Sequence, residues 1–430
     1  MRTTLLTAVR TTVTADSDPI RRALFERLRK TSRPVRAAAW LHQRFGRGAA
    51  SSLVVAMYGI KSWLTLSRDP GPSGHLVAVA VHANARRRIA QVAHAYGAQH
   101  VSHLRTGTPA LSRPAGFSTR AARNAFRLVR RINARHSFLV SCRVASLLGC
   151  YLRSTQLLAG QRPLGVLVSS DSNPEEVGLA AAARSLSLPT IFAPHAHTTS
   201  VSPRLHFSLS ILESQAALDA YVRKGPVTGA VFIAGVDGIS RPMDPARLRR
   251  PEPAIGFFAP KVVAWPEFAR MIDDCREHFR ARHIVIRWHP SMIDRPRLAT
   301  VLTDASHIVE TPATSSLMEV TDMCDWVVAD AASNVHVQVL KLGVPTVAVS
   351  GIGFLPGEHA DMYGFVANRL VFPPVPRLRA LAIDDVERFY GAEWSARFQR
   401  YDASYMRPEP ASDAQLADAI RAALAGGRPV

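Results

Sequence analysis

The sequence predicts an α/β protein built from two doubly wound, parallel-sheet domains facing each other across a cleft, with a helical N-terminal extension. Three observations carry that expectation. Short apolar runs typical of buried strands alternate with helix-like stretches. The alternation occurs twice, once on each side of the Pro- and Arg-rich stretch RPMDPARLRRPEP at 241–253. At 430 residues the chain is longer than one hydrophobic core usually supports.

Residues 1–72 read as helical, most apolar at SSLVVAMYGIKSWL, and end at the breaker RDPGPSG, 68–74. HLVAVAV (75–81) then reads as a buried strand, followed by a helical ARRRIAQVAHAYG and a short second run in GAQHVSHL. A helical stretch over about 118–160 leads to the strand LGVLVSSD (164–171), which ends in small and acidic residues. Pro174 opens a helix, PEEVGLAAAARSL, with acids near the positive end of its dipole. PTIFAPH, HFSLSILES, SQAALDAYVRKG and VFIAG continue the alternation, which implies βαβ units and a parallel sheet.

Past 241–253, taken as the interdomain linker, AIGFFAP, HIVIRWHP, SHIVET, DWVVAD and PTVAVSG read as strands. WPEFARMIDDCREHF, PRLATVL, SSLMEVTDMC and ASNVHVQVLKLG read as the helices between them, the last closed by Gly343. The expected organisation is therefore 1–72 helical, 73–240 first domain, 254–375 second domain, and 376–430 a helical segment packing back on the first domain.

The chain carries a formal net charge of +20, held by 48 arginines and only five lysines. Guanidinium forks suit phosphates and anionic headgroups. Hydrophobic residues at 47% and charged residues at 20% exclude extensive disorder. Cys142, Cys150, Cys275 and Cys324 show no metal-ligand spacing and no disulfide framework, so neither a metal nor a cofactor is expected. The N-terminus lacks a signal-peptide core and no stretch is long enough to span a bilayer, so a cytoplasmic location is expected. The Arg-rich segments Ile20–Arg36 and Thr119–Arg135 are compatible with an anionic membrane face as partner. A nucleic-acid partner is not expected, because no aromatic-basic interleaving accompanies the arginines.

Ligand sites in open α/β sheets lie at the carboxyl ends of the strands, and the unusual polar residues of this sequence gather there. RWHP places Arg287 and His289 two residues apart at a strand end, where both can face one phosphate. VVADAASN places Asp330, Ser333 and Asn334 between a buried strand and a helix, where backbone amides can approach an anion. Lys261 and Glu310 follow strands in the same half, the first suited to phosphate and the second to a ribose or base. In the first half, APHAHTTS puts His195 and His197 at a strand end, residues able to take a proton near neutral pH. Asp171 stands at the preceding strand end, placed to bind an acceptor, orient a histidine or cap the next helix.

The order APHAH, LES, VFIAG, RWHP, DWVVADAASNVHVQVLKLGVPTV, over about 165–350, resembles bacterial capsule and teichoic-acid transferases. These are the CDP-glycerol glycerophosphotransferase-like and polysialyltransferase-like enzymes of the GT-B fold. The first motif here reads His-Ala-His where the family has His-Gly, and Asn334 stands where a second serine is usual. The resemblance implies two Rossmann-like domains, the first binding acceptor and the second a nucleotide donor. It further implies a catalytic base at His195 or His197 and donor-phosphate binding by Arg287, His289, Ser333 and Asn334. The expected activity is transfer of a sugar or glycerophosphate from a CMP-, CDP- or UDP-linked donor to a hydroxyl of a cell-surface polysaccharide or lipid-linked glycan. A sugar-nucleotide epimerase of the same form, or a basic nucleic-acid-binding protein, are the alternatives.

Overall fold

The structure, a computed structural model, describes residues 2–16, 48–68, 75–106, 119–200, 202–236, 238–290, 297–312, 314–353, 361–407 and 412–426, with isolated positions at 36, 37, 40, 43, 44, 46, 292 and 295. Most of the Ile20–Arg36 segment and of the breaker at 68–74 lies outside the described residues. The chain forms two compact units, 1–234 with 409–430, and 235–408.

The first unit carries strands β1 (Ser67–Arg68), β2 (Leu76–Val79), β3 (Val101–Arg105), β4 (Gly165–Val168), β5 (Thr190–Phe192), β6 (His206–Leu212) and β7 (Thr228–Ile233). They lie in the order β1-β3-β2-β4-β5-β6-β7, parallel except for the antiparallel edge strand β1. Side chains alternate across the sheet as the period of two demands. Val77, Val79, Val166 and Val168 enter one apolar cluster, and Leu76, Ala78 and Leu167 enter another on the opposite face. The first cluster is closed by the Phe138–Gln161 and Pro174–Ser185 helices, the second by the Ala83–Tyr96 helix and the C-terminal helix Asp413–Ala425.

The expected N-terminal extension is part of this core. Ala8, Val9 and Val55 are buried in the same cluster as β2 and β4. The Ala49–Thr65 helix crosses Phe138–Gln161 so closely that a Cβ on Gly149 would stand 2.0 Å from the Gly59 carbonyl oxygen. The helical stretch expected over 118–160 is two helices, Thr119–Arg135 and Phe138–Gln161, the second started by Ser137, whose side chain accepts from Val140 N–H.

The second unit carries β8 (Ala254–Phe258), β9 (His283–Arg287), β10 (Ile308–Glu310), β11 (Trp326–Asp330), β12 (Thr346–Val349) and β13 (Phe372–Val375), all parallel, in the order β10-β9-β8-β11-β12-β13. Renumbered within the unit, that is the 3-2-1-4-5-6 order of a doubly wound dinucleotide-type sheet. Both units are thus Rossmann-like, the GT-B-like fold class expected from the sequence.

Three expectations need correction. Residues 241–253 are not a free linker. Arg241 pairs with Asp322, Arg250 with Asp325, and Leu248 is buried in a 3-10 turn, so opposite charges and one apolar anchor hold the stretch on the second unit. Residues 376–408 also stay with the second unit, because the aromatics Tyr390, Trp394, Phe398 and Tyr405 stack into one buried group there. Only the Asp413–Ala425 helix returns to the first unit. PRLATVL forms one 3-10 turn, Leu298–Thr300, too short to be the helix its apolar spacing suggested.

Candidate functional site

A doubly wound sheet opens where the crossovers diverge to its two faces, and ligands bind beyond the carboxyl ends of the strands at that point. In the second unit the divergence falls between β8 and β11. The register aligns Arg287 of β9 and Ala329 of β11 on either side of Phe258 of β8. Three of the motifs singled out above therefore end side by side: FFAPK, RWHP and ADAASN.

Lys261, Arg287 and His289 come together there. The Arg287 guanidinium lies 5.8 Å from the centre of the Phe258 ring, and burial lowers its pKa. Among the described residues its Nε has no hydrogen-bond partner, and no carboxylate pairs with Arg287 or Lys261. His289 is exposed at the strand end, yet loss of solvent around its ring lowers its pKa, and the charges of Lys261 and Arg287 lower it further. Two cations, Lys261 and Arg287, brought to one imidazole with no carboxylate partner among the described residues make an electrostatic demand for an anion.

Asp330 closes β11. Its side chain is buried beside Gly353, where any Cβ would stand 2.1 Å from Oδ2, so the chain must be bare at that position to pass it. Burial raises its pKa to about 6, against one hydrogen bond accepted from Ala332 N–H. Its carbonyl accepts from Ser333 N–H and bonds His336 Nε2, a fully buried imidazole that burial holds at about 4 and hence neutral. Ser333 Oγ accepts from Val335 N–H, and Asn334 starts the helix with a buried Oδ1 that has no partner among the described residues. That helix, Val335–Lys341, spans barely two turns, so its dipole is weak. Glu310 does not join the cations. Its carboxylate accepts from Trp288 Nε1 at 2.8 Å and pairs with Arg295, whose guanidinium lies over the Trp288 ring.

In the first unit the divergence falls between β2 and β4, whose ends are aligned by the pairing of Val79 with Val168. His195 bonds the Ser169 carbonyl through Nδ1 at 2.7 Å, leaving Nε2 as the other ring nitrogen. His197 Nδ1 lies 3.2 Å from Glu213 Oε1, with both side chains about nine-tenths covered. Asp171 accepts from the hydroxyl of buried Tyr221 at 3.0 Å. It does not cap the Pro174–Ser185 helix, which Asn173 begins.

Sequence reasoning missed four neighbours of these groups. His82, at the end of β2, stands with its ring centre 6.2 Å from that of His195. Glu213 and Tyr221 accompany His197 and Asp171, and Glu213 could have been found as the acid ending the LES strand. Glu176 is fully buried, accepts from Ser169 Oγ and Asn173 Nδ2, and is raised to about 8, first by burial and secondarily by Glu175. Its sequence signal, an acid in the first turn of a helix, looks the same as an ordinary dipole partner.

No group of three or more potential metal ligands clusters among the described residues. No helix among them is long and apolar enough to cross a membrane.

No protein-family model matches the chain, and no curated protein does. Solved structures do. The chain is similar to the UDP-GlcNAc 2-epimerase from Neisseria meningitidis bound to UDP-GlcNAc, at 10% identity over 82% of this chain and 100% of that one, with a TM-score of 0.43. It is similar to the UDP-GlcNAc 2-epimerase from Methanocaldococcus jannaschii, at 10% identity over 81% and 98%, TM-score 0.45. It is also similar to the glycosyltransferase SnogD from Streptomyces nogalater, at 13% identity over 81% and 100%, TM-score 0.42.

Proposed function

We propose that this chain is a transferase that moves a sugar or glycerophosphoryl group from a nucleotide-activated donor to a hydroxyl of a cell-surface polysaccharide or lipid-linked glycan. The observation that carries the reading is the convergence of Lys261, Arg287 and His289 at the strand-end divergence of a 3-2-1-4-5-6 sheet, with Lys261 and Arg287 lacking any described carboxylate partner. Donor phosphate supplies the missing charge. Ser333 and Asn334, two strands away, add a hydroxyl and an amide on the other side of β8. Glu310 serves in this reading as the anchor of Trp288 and not as a ribose ligand.

The first unit supplies the base. Of the two histidines, His197 is assigned that role, because the Glu213 carboxylate 3.2 Å from its Nδ1 can hold the ring in place. The acceptor hydroxyl loses its proton to the ring, its oxygen bonds to the transferred group, and the bond to the donor phosphate breaks. The electron pair and charge pass to that phosphate. His195, set by the Ser169 carbonyl and flanked by His82, together with Asp171, contributes acceptor binding.

Titration calorimetry with CMP, CDP, UDP and GDP tests the donor side. Arg287→Ala is expected to weaken binding of the preferred nucleotide by roughly 10- to 100-fold, the loss of a charge-assisted hydrogen bond. His197→Ala is expected to lower kcat by about 10²- to 10⁴-fold with donor KM unchanged. Unaltered nucleotide affinity in Arg287→Ala overturns the assignment. Conversion of the donor without an acceptor identifies an epimerase instead.

A further inference from the structure

We infer that the Ala49–Thr65 helix, with the Thr119–Arg135 helix beside it, is a docking surface for an anionic lipid bilayer. The inference stands apart from the chemistry assigned to the strand ends. Ala49–Thr65 turns Ser51, Ser52 and Val55 inward, while Leu53, Met57, Ile60 and Leu64 form a continuous stripe at 59%, 61%, 48% and 38% exposure. Aliphatic positions spaced four, three and four residues apart on one solvent-facing stripe are unusual on a soluble surface. The helix cannot roll to hide them. Gly59 is held against Gly149 on the inner side, and Asn133 Nδ2 donates to Ser51 Oγ at 3.1 Å and to Ser52 Oγ at 3.2 Å.

Asn133 belongs to Thr119–Arg135, so the same clamp fixes the Arg-rich helix alongside the stripe. Arg123, Arg127, Arg130, Arg131 and Arg135 are all exposed, and none forms an ion pair with a described residue. Residues 27–170 hold 23 arginines and lysines and one acid, Asp69, whereas the rest of the chain is close to neutral. The chain's positive charge is therefore concentrated in the part that carries the stripe.

Charge and apolarity together select the occupant. A polynucleotide or acidic glycan would use the arginines but leave the aliphatic stripe in water. A second copy would cover the stripe but bring two strongly cationic faces together. An anionic bilayer satisfies both, with the stripe in the acyl boundary and the arginines at the headgroups.

The test uses the full chain and vesicles of phosphatidylcholine, alone or with about a third phosphatidylglycerol. Sedimentation with the anionic vesicles is expected, sharply reduced at about 1 M salt, where the Debye length falls to about 3 Å. Each cation near such a surface raises partitioning about fivefold, so Arg127→Gln, Arg130→Gln and Arg131→Gln together should lower it on the order of 100-fold. Leu53→Ser, Met57→Ser and Ile60→Ser together should abolish it while thermal unfolding stays unchanged. The four native cysteines are buried, so Met57→Cys offers a selective label. An environment-sensitive fluorophore there should shift to the blue only with anionic vesicles. The inference is overturned by absence of vesicle binding, by failure of Met57→Cys to label in the native protein, or by vesicle binding that the serine variant retains. It is equally overturned by a dimer that the serine variant dissolves without any vesicle binding, or by polyribonucleotide binding that displaces the protein from vesicles and is insensitive to the serine changes.

Discussion

Glu176→Gln provides a direct measure of how far the first unit departs from ordinary protein electrostatics. The side chain is fully buried, and the groups acting on it are hydroxyls, an amide and a second carboxylate. Its pKa is raised from 4.5 to about 8, mainly by burial. In the unfolded chain the carboxyl ionises above pH 4.5, but in the fold it stays protonated until about pH 8. Between those values the folded form binds the extra proton, so stability falls as pH rises through the window. At about 1.4 kcal/mol per unit, the loss reaches about 3 kcal/mol by pH 7 and about 5 kcal/mol beyond pH 8. The amide introduced by the substitution has no acidic proton to lose. The difference in unfolding free energy between variant and parent, from urea titrations at several pH values, should therefore grow in the variant's favour by about 3 kcal/mol from pH 4.5 to 7. Any fixed cost of exchanging a hydroxyl for an amide shifts the whole difference and leaves its slope alone. A difference independent of pH from 5 to 8 would show that Glu176 ionises normally and refute the reasoning.

Two further substitutions probe the frame. Lys341→Met removes the cation 2.7 Å from Asp402 with both side chains buried, and is expected to cost about 3–5 kcal/mol in chemical denaturation. Adding Asp402→Asn should recover part of that loss, since the uncompensated charge is its source. Gly149→Ala forces a Cβ onto the Gly59 carbonyl oxygen, and is expected to lower the calorimetric Tm by an amount equivalent to about 1–3 kcal/mol.

The fold was readable because both sheets are built from short, fully buried runs such as GVLV, AIGFF and WVVAD, whose lengths and flanking polar residues mark strand ends. What the pattern could not convey was which neighbour each stretch would choose. Residues 241–253 look like a linker by composition, yet Arg241 and Arg250 find Asp322 and Asp325, acids remote in sequence. The candidate site follows the same division. Arg287, His289, Lys261 and Asp330 were visible because each ends a strand or follows one within three residues. His82 and Glu176 were not, because a histidine before a helix and an acid in a first turn are common on ordinary surfaces. Only the sheet order brings His82 to His195 and buries Glu176 under Ser169. Glu310 shows the converse, since a strand-end position did not foretell that Trp288 and Arg295 would occupy its carboxylate.

At each strand-end divergence the chain keeps groups in states that stability alone would not select. Arg287 loses solvent without gaining a described counter-ion, Asp330 is buried with a single backbone donor, and Glu176 is buried with no described cation acting on it. Structural ion pairs elsewhere in the molecule are complete: Lys341 with Asp402, Arg377 with Asp274, Arg250 with Asp325. A sequence able to pair its buried charges at those places leaves Arg287 and Lys261 without a described carboxylate at the second unit's divergence, where an anionic ligand would supply the missing charge. That contrast within one chain ties the unpaired cations to an anionic ligand more firmly than the presence of any single arginine could.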